Sequence, residues 1–159
     1  MGRTEERRPQ VVIPWGMALR LVLDNSVTTG WVHPDQATAY STALLDQLAR
    51  YQPLAPTLWP LEFGNTMLAL LRRKKLTEAQ WRSALVRAAS WKIALDTRPP
   101  EFAVLGNLAI RHGLTVYDAA YLDSALRNRV RLATQDTALK KAALERKCWF
   151  DPEKMSAAS

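Results

Sequence analysis

Four carboxylates stand out by their surroundings: Asp24, Glu62, Asp118 and Asp136. Asp24 directly follows an apolar run in Leu-Val-Leu-Asp-Asn-Ser, and Asp136 follows another in Leu-Ala-Thr-Gln-Asp. Glu62 lies in Leu-Trp-Pro-Leu-Glu-Phe-Gly-Asn-Thr-Met-Leu-Ala-Leu-Leu, where nearly every neighbour is apolar. At helical spacing it meets Asn65 and Thr66, so one narrow polar stripe crosses an otherwise buried helix. A carboxylate placed there is costly unless it is paired or binds a cation. Asp118, in Gly-Leu-Thr-Val-Tyr-Asp-Ala-Ala-Tyr-Leu, has small neighbours in Ala119 and Ala120 that leave room to project into a crevice.

Each acid also has a plainer reading. Asp after a strand is a favoured helix N-cap, which would account for Asp24 and Asp136. Thr115-x-x-Asp118 has the spacing of a capping box, although Glu or Gln is more usual at the last position. A solvent-facing stripe would accommodate Glu62, but Phe63 and Met67 beside it leave little room for one. The remaining acids compete poorly: Asp96 ends a strand and continues into a surface turn, while Asp35, Asp46 and Asp123 sit on helix starts or other helix faces.

Four carboxylates without a histidine or cysteine nucleophile point to hard divalent cations. Mg²⁺ takes oxygen ligands, typically one or two carboxylates completed by waters and substrate phosphate. Two such ions about 3.5–4 Å apart activate water and stabilise the leaving oxygen of a phosphodiester. The constellation therefore predicts phosphoryl chemistry on nucleic acid.

Positioning those acids is the task of the elements around them. Apolar periodicity predicts strands over Leu19–Leu23, Pro53–Thr57, Trp91–Leu95, Val130–Ala133 and Lys147–Phe150. An Asn-Ser pair reads as the turn after the first strand. Helices are expected after Pro34-Asp35, and over Trp59–Arg73, Thr77–Ser90, Glu101–Arg111, Thr115–Arg127 and Asp136–Arg146. Strands alternating with helices imply an α/β chain, a three-layer α/β/α sandwich around a mainly parallel sheet. In such a sheet the functional crevice lies outside the carboxyl ends of the strands, where Asp24 and Asp136 fall.

The chain's 159 residues, 48% hydrophobic and 23% charged, suit one domain over residues 18–151, with tails at 1–17 and 152–159. One cysteine, Cys148, excludes an internal disulfide, and two histidines cannot supply a Cys/His zinc site. No window is apolar for long enough to span a membrane, and the charged N-terminus argues against a cleaved signal peptide, so a cytoplasmic protein is expected. The net charge of +7 permits a polyanionic partner.

The segments Val-Leu-Asp-Asn-Ser-Val (22–27), Trp-Pro-Leu-Glu-Phe-Gly-Asn (59–65), Leu-Thr-Val-Tyr-Asp-Ala-Ala-Tyr-Leu (114–122) and Leu-Ala-Thr-Gln-Asp (132–136), in this order and spacing, resemble a PIN-domain ribonuclease. More narrowly they resemble the VapC-like toxins of toxin–antitoxin pairs, over about Leu21 to Phe150. The resemblance implies a PIN-like fold and a Mg²⁺- or Mn²⁺-dependent endoribonuclease with Asp24, Glu62, Asp118 and Asp136 as its acidic cluster. It implies that Ser26 and Thr134 support the first and last acids, and Asn65 is counted with them from the polar stripe. It further implies structured RNA, often transfer RNA, as substrate, a small VapB-like antitoxin as inhibitor, and a homodimer. A PIN nuclease of RNA maturation or DNA processing, and a non-catalytic nucleic-acid-binding module, are the alternatives.

Arg127, Arg129 and Arg131, with Lys140 and Lys141, form a basic region near Asp136 in sequence and are expected to hold the RNA backbone. The run Arg72 to Lys75 reads as a solvated helix end. Of six tryptophans, Trp59, Trp81 and Trp91 fall at core positions, whereas Trp15, Trp31 and Trp149 are candidates for an interface. His33 and His112 read as turn and helix-end residues, and Cys148 as a small core side chain.

Overall fold

The computed structural model describes residues 19–156. β1 (Leu19–Leu23) pairs in parallel with β2 (Tyr51–Pro56) on one side and with β4 (Arg131–Ala133) on the other, and β3 (Ala94–Asp96) adds to β2. The order is β3-β2-β1-β4, all parallel. Period-2 alternation splits the core between the two faces. Val22 shares a face with its partners Leu54 and Leu132, while Leu21 and Leu23 pack oppositely with Val27, Trp31, Leu44 and Phe150. Helices cover both faces, giving a three-layer α/β/α sandwich.

The helices are α1 (Asn25–Gly30), α2 (Ala39–Gln47), α3 (Trp59–Arg72), α4 (Glu78–Ser90), α5 (Phe102–His112), α6 (Val116–Asn128), α7 (Thr137–Glu145) and α8 (Pro152–Ser156). Their starts follow local capping chemistry. Thr38, Thr77 and Thr115 each accept from the backbone N–H three residues on, and the side chain there reaches back. Gly113 closes α5 in the left-handed conformation that a Cβ disfavours. In α3, Trp59, Phe63, Met67 and Leu70 form the buried stripe, so Glu62 and Thr66 ride along its edge, half-buried.

Several expectations are corrected. Asn25-Ser26 opens α1 rather than a turn. The strand expected from Trp91 begins only at Ala94, because Trp91 caps α4 and Lys92 turns left-handed at φ 51°. The final strand shrinks to one parallel bridge, Leu132 to Trp149, because Lys147 turns left-handed after α7. The C-terminal tail begins with α8, held by Gln47 Nε2 donating to the Pro152 carbonyl. The N-terminal tail at 1–17, with Trp15, lies outside the described residues. No helix among the described residues is long and apolar enough to cross a membrane.

Gly30 marks a close approach. A Cβ there would lie 2.9 Å from Gln135 Nε2, 2.9 Å from the Gln36 carbonyl and 3.1 Å from Ser41 Oγ. Gly30→Ala should cost about 1–3 kcal/mol in urea unfolding, since backbone as well as side chain must move. A cost below about 0.5 kcal/mol would show that this junction yields easily.

Candidate functional site

In the order β3-β2-β1-β4 the chain winds outward one way from β1 and returns on its other side at β4. The switch point is therefore the β1/β4 junction, and the crevice opens at the carboxyl ends of those strands. Asp24 sits there, 4% exposed, its N–H bonded to the Ala133 carbonyl at 3.0 Å. It occupies the N-cap position of α1 but makes no side-chain cap bond, so capping does not explain its carboxylate. Instead Ser26 Oγ donates to Asp24 Oδ2 at 2.6 Å and Thr134 Oγ1 donates to the same oxygen at 2.8 Å. Among the described residues no side-chain hydroxyl or amide donates to Oδ1. Ser26 thus bonds the first acid, whereas Thr134, expected at the last acid Asp136, donates to Asp24 instead and meets Asp136 only by accepting from its backbone N–H.

Gln135 ties the two strand ends together. Its N–H donates to Ser26 Oγ, its Nε2 to the Ser26 and Gln36 carbonyls, and its Oε1 accepts from Thr38 Oγ1. Its importance was not legible in the sequence, because the partners lie about a hundred residues away.

Glu62 is brought in by α3. Trp59 Nε1 donates to Thr28 Oγ1 at 3.1 Å, pinning α3 to α1. Asn25 Nδ2 donates to Thr66 Oγ1 at 3.1 Å, and Thr66 Oγ1 donates to the Glu62 carbonyl at 2.9 Å. Thr66, not Asn65, therefore joins the site: Asn65 lies on the exposed side of α3. Burial, then the charges of Asp24 and Asp118, push Glu62 up to about 7, against a smaller lowering by the Asn25 amide. Asp24 is likewise raised, first by burial and then by Asp118, although the Ser26 and Thr134 hydroxyls oppose this. Asp24, Glu62 and Asp118 thus sense one another.

Asp118 and Asp136 divide the expectation. The half-buried Asp118 closes the capping box of α6: its Oδ2 accepts from Thr115 Oγ1 at 2.7 Å and Thr115 N at 3.2 Å. Its charge still reaches Asp24 and Glu62. Asp136 is exposed and caps α7 through Oδ1, which accepts from Leu139 N at 2.8 Å. It is linked to Asp24 only through Thr134 Oγ1, which accepts from Asp136 N, and it is not among the charges that raise Asp24 or Glu62. The inner group is Asp24, Glu62 and Asp118, with Asp136 at its margin.

Two further groups are close to these acids in the fold or along the chain. Tyr121 is fully buried, and its hydroxyl has no hydrogen-bond partner among the described residues. Burial, then Asp24 and Glu62, hold its phenol far above the usual range, so it stays protonated. Asn25 Oδ1 is also buried and unpartnered. The sequence signal for both was adjacency: Asn25 follows Asp24, and Tyr121 lies one turn after Asp118.

The donor chemistry suits a hard divalent cation, being oxygen only and drawn from acids whose charges repel. No three Asp, Glu, His or Cys side chains among the described residues converge as a ready-made cage. An ion here would be held by one or two carboxylates, with water and substrate completing its shell.

The raised Glu62 carboxyl has a stability consequence. In metal-free protein the folded state keeps this proton up to about pH 7, whereas an ordinary carboxyl near 4.5 releases it earlier. Between those values the unfolded chain binds fewer protons, so stability falls as pH rises and levels off above. Glu62→Gln should flatten that part of the thermal midpoint profile measured in EDTA; an unchanged slope would assign it to other groups.

Arg127 is not free to hold RNA. Its guanidinium contacts Asp96 Oδ2 at 3.2 Å and Asp123 Oδ2 at 2.9 Å, both acids being buried. Arg129 and Arg131 are exposed, Arg131 donating to the Trp149 carbonyl. Asp96 proves to be a buried hub, receiving Ser124 Oγ, Asn128 Nδ2 and the backbone of Arg98. Desolvation would raise it, but these bonds and Arg127 outweigh that and hold it below the usual carboxylate range. Trp31 is also no interface residue: it is 6% exposed, with Nε1 donating to the Ser41 carbonyl. Trp149 stacks on Tyr40, with Lys140 over its ring.

No family model matches this chain, and no curated protein matches it. Among solved structures, the crystal structure of PAE2754 from Pyrobaculum aerophilum is similar, with a TM-score of 0.61 and 22% sequence identity. The alignment covers 89% of this chain and 96% of that one. At that identity the likeness is one of fold, and it extends across nearly the whole of both chains.

Proposed function

We propose that this chain is a divalent-cation-dependent endoribonuclease of the PIN type, acting as the VapC-like toxin of a toxin–antitoxin pair. The observation that carries the reading is the buried carboxylate of Asp24 at the β1/β4 switch point, which caps no helix and which, like Glu62, is raised by the charge of its acidic neighbours. Helix capping accounts for part of Asp118 and Asp136, but not for Asp24.

Asp24 and Asp118 hold Mg²⁺ or Mn²⁺ in this reading, and Asp136 supports the ion from the margin. When bound, the ion lowers the pKa of water and offsets charge on the phosphate. Ser26 and Thr134 hold Asp24 Oδ2, and no side-chain hydroxyl or amide among the described residues donates to Oδ1. Glu62 takes a proton from attacking water in this reading; in the metal-free protein its carboxyl is raised to about 7 by burial and by Asp24 and Asp118. Tyr121 keeps a buried, protonated hydroxyl within the influence of Asp24 and Glu62. Arg129 and Arg131 serve as backbone contacts; Arg127 does not. A VapB-like antitoxin, a homodimer and a cytoplasmic location belong to the same proposal, with structured RNA such as transfer RNA as substrate.

The test is induced expression of the parent beside Asp118→Asn, with total RNA sequenced for new ends. Discrete new ends from the parent alone support the reading. Equal cleavage by both proteins overturns the assignment of Asp118.

A further inference from the structure

All four strands are parallel, so their carboxyl ends lie along one edge: Asp96 of β3, Pro56 of β2, Asp24 after β1, and Thr134 after β4. The acidic group uses the β1/β4 half. Over the β2/β3 half lies a separate cavity of about 210 Å³. Its walls include Leu58, Leu105 and Ala120, and its polar end carries Asp96 and Arg98. The exposed ring of Tyr117 also lines it.

The two halves share their supports. α3 contributes Leu58 just before its start and Glu62 in its first turn. On α6, Tyr117 and Ala120 line the cavity while Asp118 and Tyr121 lie on the adjoining face. Neighbouring strands are about 4.8 Å apart, so one to two spacings, about 5–10 Å, separate the cavity from Asp24 along the edge. That is the reach of a single nucleotide.

We propose that this cavity is a base-binding subsite, taking one nucleobase of the strand whose phosphate lies at Asp24. The inference rests on the nuclease reading for its position, but not for its chemistry. The volume is below the ~300 Å³ at which pockets for drug-sized ligands begin, which suits one planar ring system. Apolar walls accept the faces of a base, and an exposed aromatic ring is the usual stacking platform for one. Arg98 supplies hydrogen-bond donors. Its side chain is 56% exposed and contacts Asp96 through Nε, leaving both terminal nitrogens for a base edge.

The test separates binding from cleavage. Isotope-labelled full-length protein in EDTA is titrated with each of the four ribonucleoside 5′-monophosphates, and with ribose 5-phosphate as the baseless control. Saturable NMR shifts centred on Leu58, Tyr117 and Ala120, given by nucleotides and not by ribose phosphate, are expected. Tyr117→Ala should weaken binding about tenfold, and Tyr117→Phe should restore it, because the ring face rather than the hydroxyl is used. Equal shifts from ribose phosphate would overturn the proposal in favour of a phosphate site. No nucleotide shifts, but saturable shifts from a short leucine-rich peptide, would overturn it in favour of a protein partner. Failure of the nuclease reading is distinguishable: expression of the parent would give no new RNA ends, while the nucleotide titration was unaffected.

Discussion

Asp24→Asn is expected to abolish metal-dependent RNA cleavage while leaving the metal-free fold at least as stable as the parent. The two readouts move in opposite senses for one reason. Asp24 is buried beside the charge of Asp118, so its ionised form is held against desolvation and repulsion. An amide removes that charge and keeps an oxygen for the Ser26 and Thr134 hydroxyls. In the proposed reading the same change deletes a cation ligand. Mutating even the outer partners of a metal ligand costs about 10–100-fold, so loss of the ligand should cost at least ~10²-fold in cleavage. Initial rates with Mg²⁺ or Mn²⁺ and urea unfolding in EDTA measure both. Parental cleavage by Asp24→Asn would remove it from the site. A large loss of stability would make it a structural acid.

Arg127→Ala should be the most destabilising of the arginine substitutions. Its guanidinium lies between two buried carboxylates, Asp96 and Asp123, with side-chain exposures of 5% and 6%. Removing it takes the ion-pair partner from Asp123 and leaves Asp96 with only the exposed Arg98, and breaking a buried pair costs about 3–5 kcal/mol. Arg127 is itself 24% exposed, so the lower end of that range applies, about 3 kcal/mol. Arg129→Ala and Arg131→Ala should stay within about 0.5 kcal/mol, as surface changes do, and should reduce the salt dependence of RNA binding. Chemical unfolding of the three variants decides the matter. A neutral Arg127→Ala with a flattened salt slope would return Arg127 to the RNA surface.

The arginines show where sequence reading stops. Arg127, Arg129 and Arg131 are near neighbours with alternating positions, and nothing in that segment marks one of them as buried. The difference is made by Asp96, about thirty residues earlier, at the end of a strand whose turn does look exposed. Asp96 itself was set aside for that turn, yet its carboxylate points back into the protein. Trp31 was misjudged in the same way: it lies near a chain turn, but packs edge-on against Trp91.

What the sequence determined by itself was set by short-range physics. Period-2 and period-3.6 apolar patterns defined the α/β alternation, and the Thr-x-x-Asp box defined one helix start. An acid amid apolar neighbours marked Glu62, because burying a charge without a reason is costly. Strand boundaries at Trp91 and Lys147 were missed because left-handed residues, not composition, ended the preceding helices. Only the tertiary structure decided which acids meet. The order β3-β2-β1-β4 places the switch point between β1 and β4, putting Ser26 and Thr134, 108 positions apart, on one oxygen of Asp24. It also brought in Thr66 in place of Asn65, set Tyr121 and Asn25 beside the acids, and left Asp136 at their margin. A helix or strand is specified by its own residues, but a site depends on which strand ends lie side by side. That choice is made by the packing of the whole sheet.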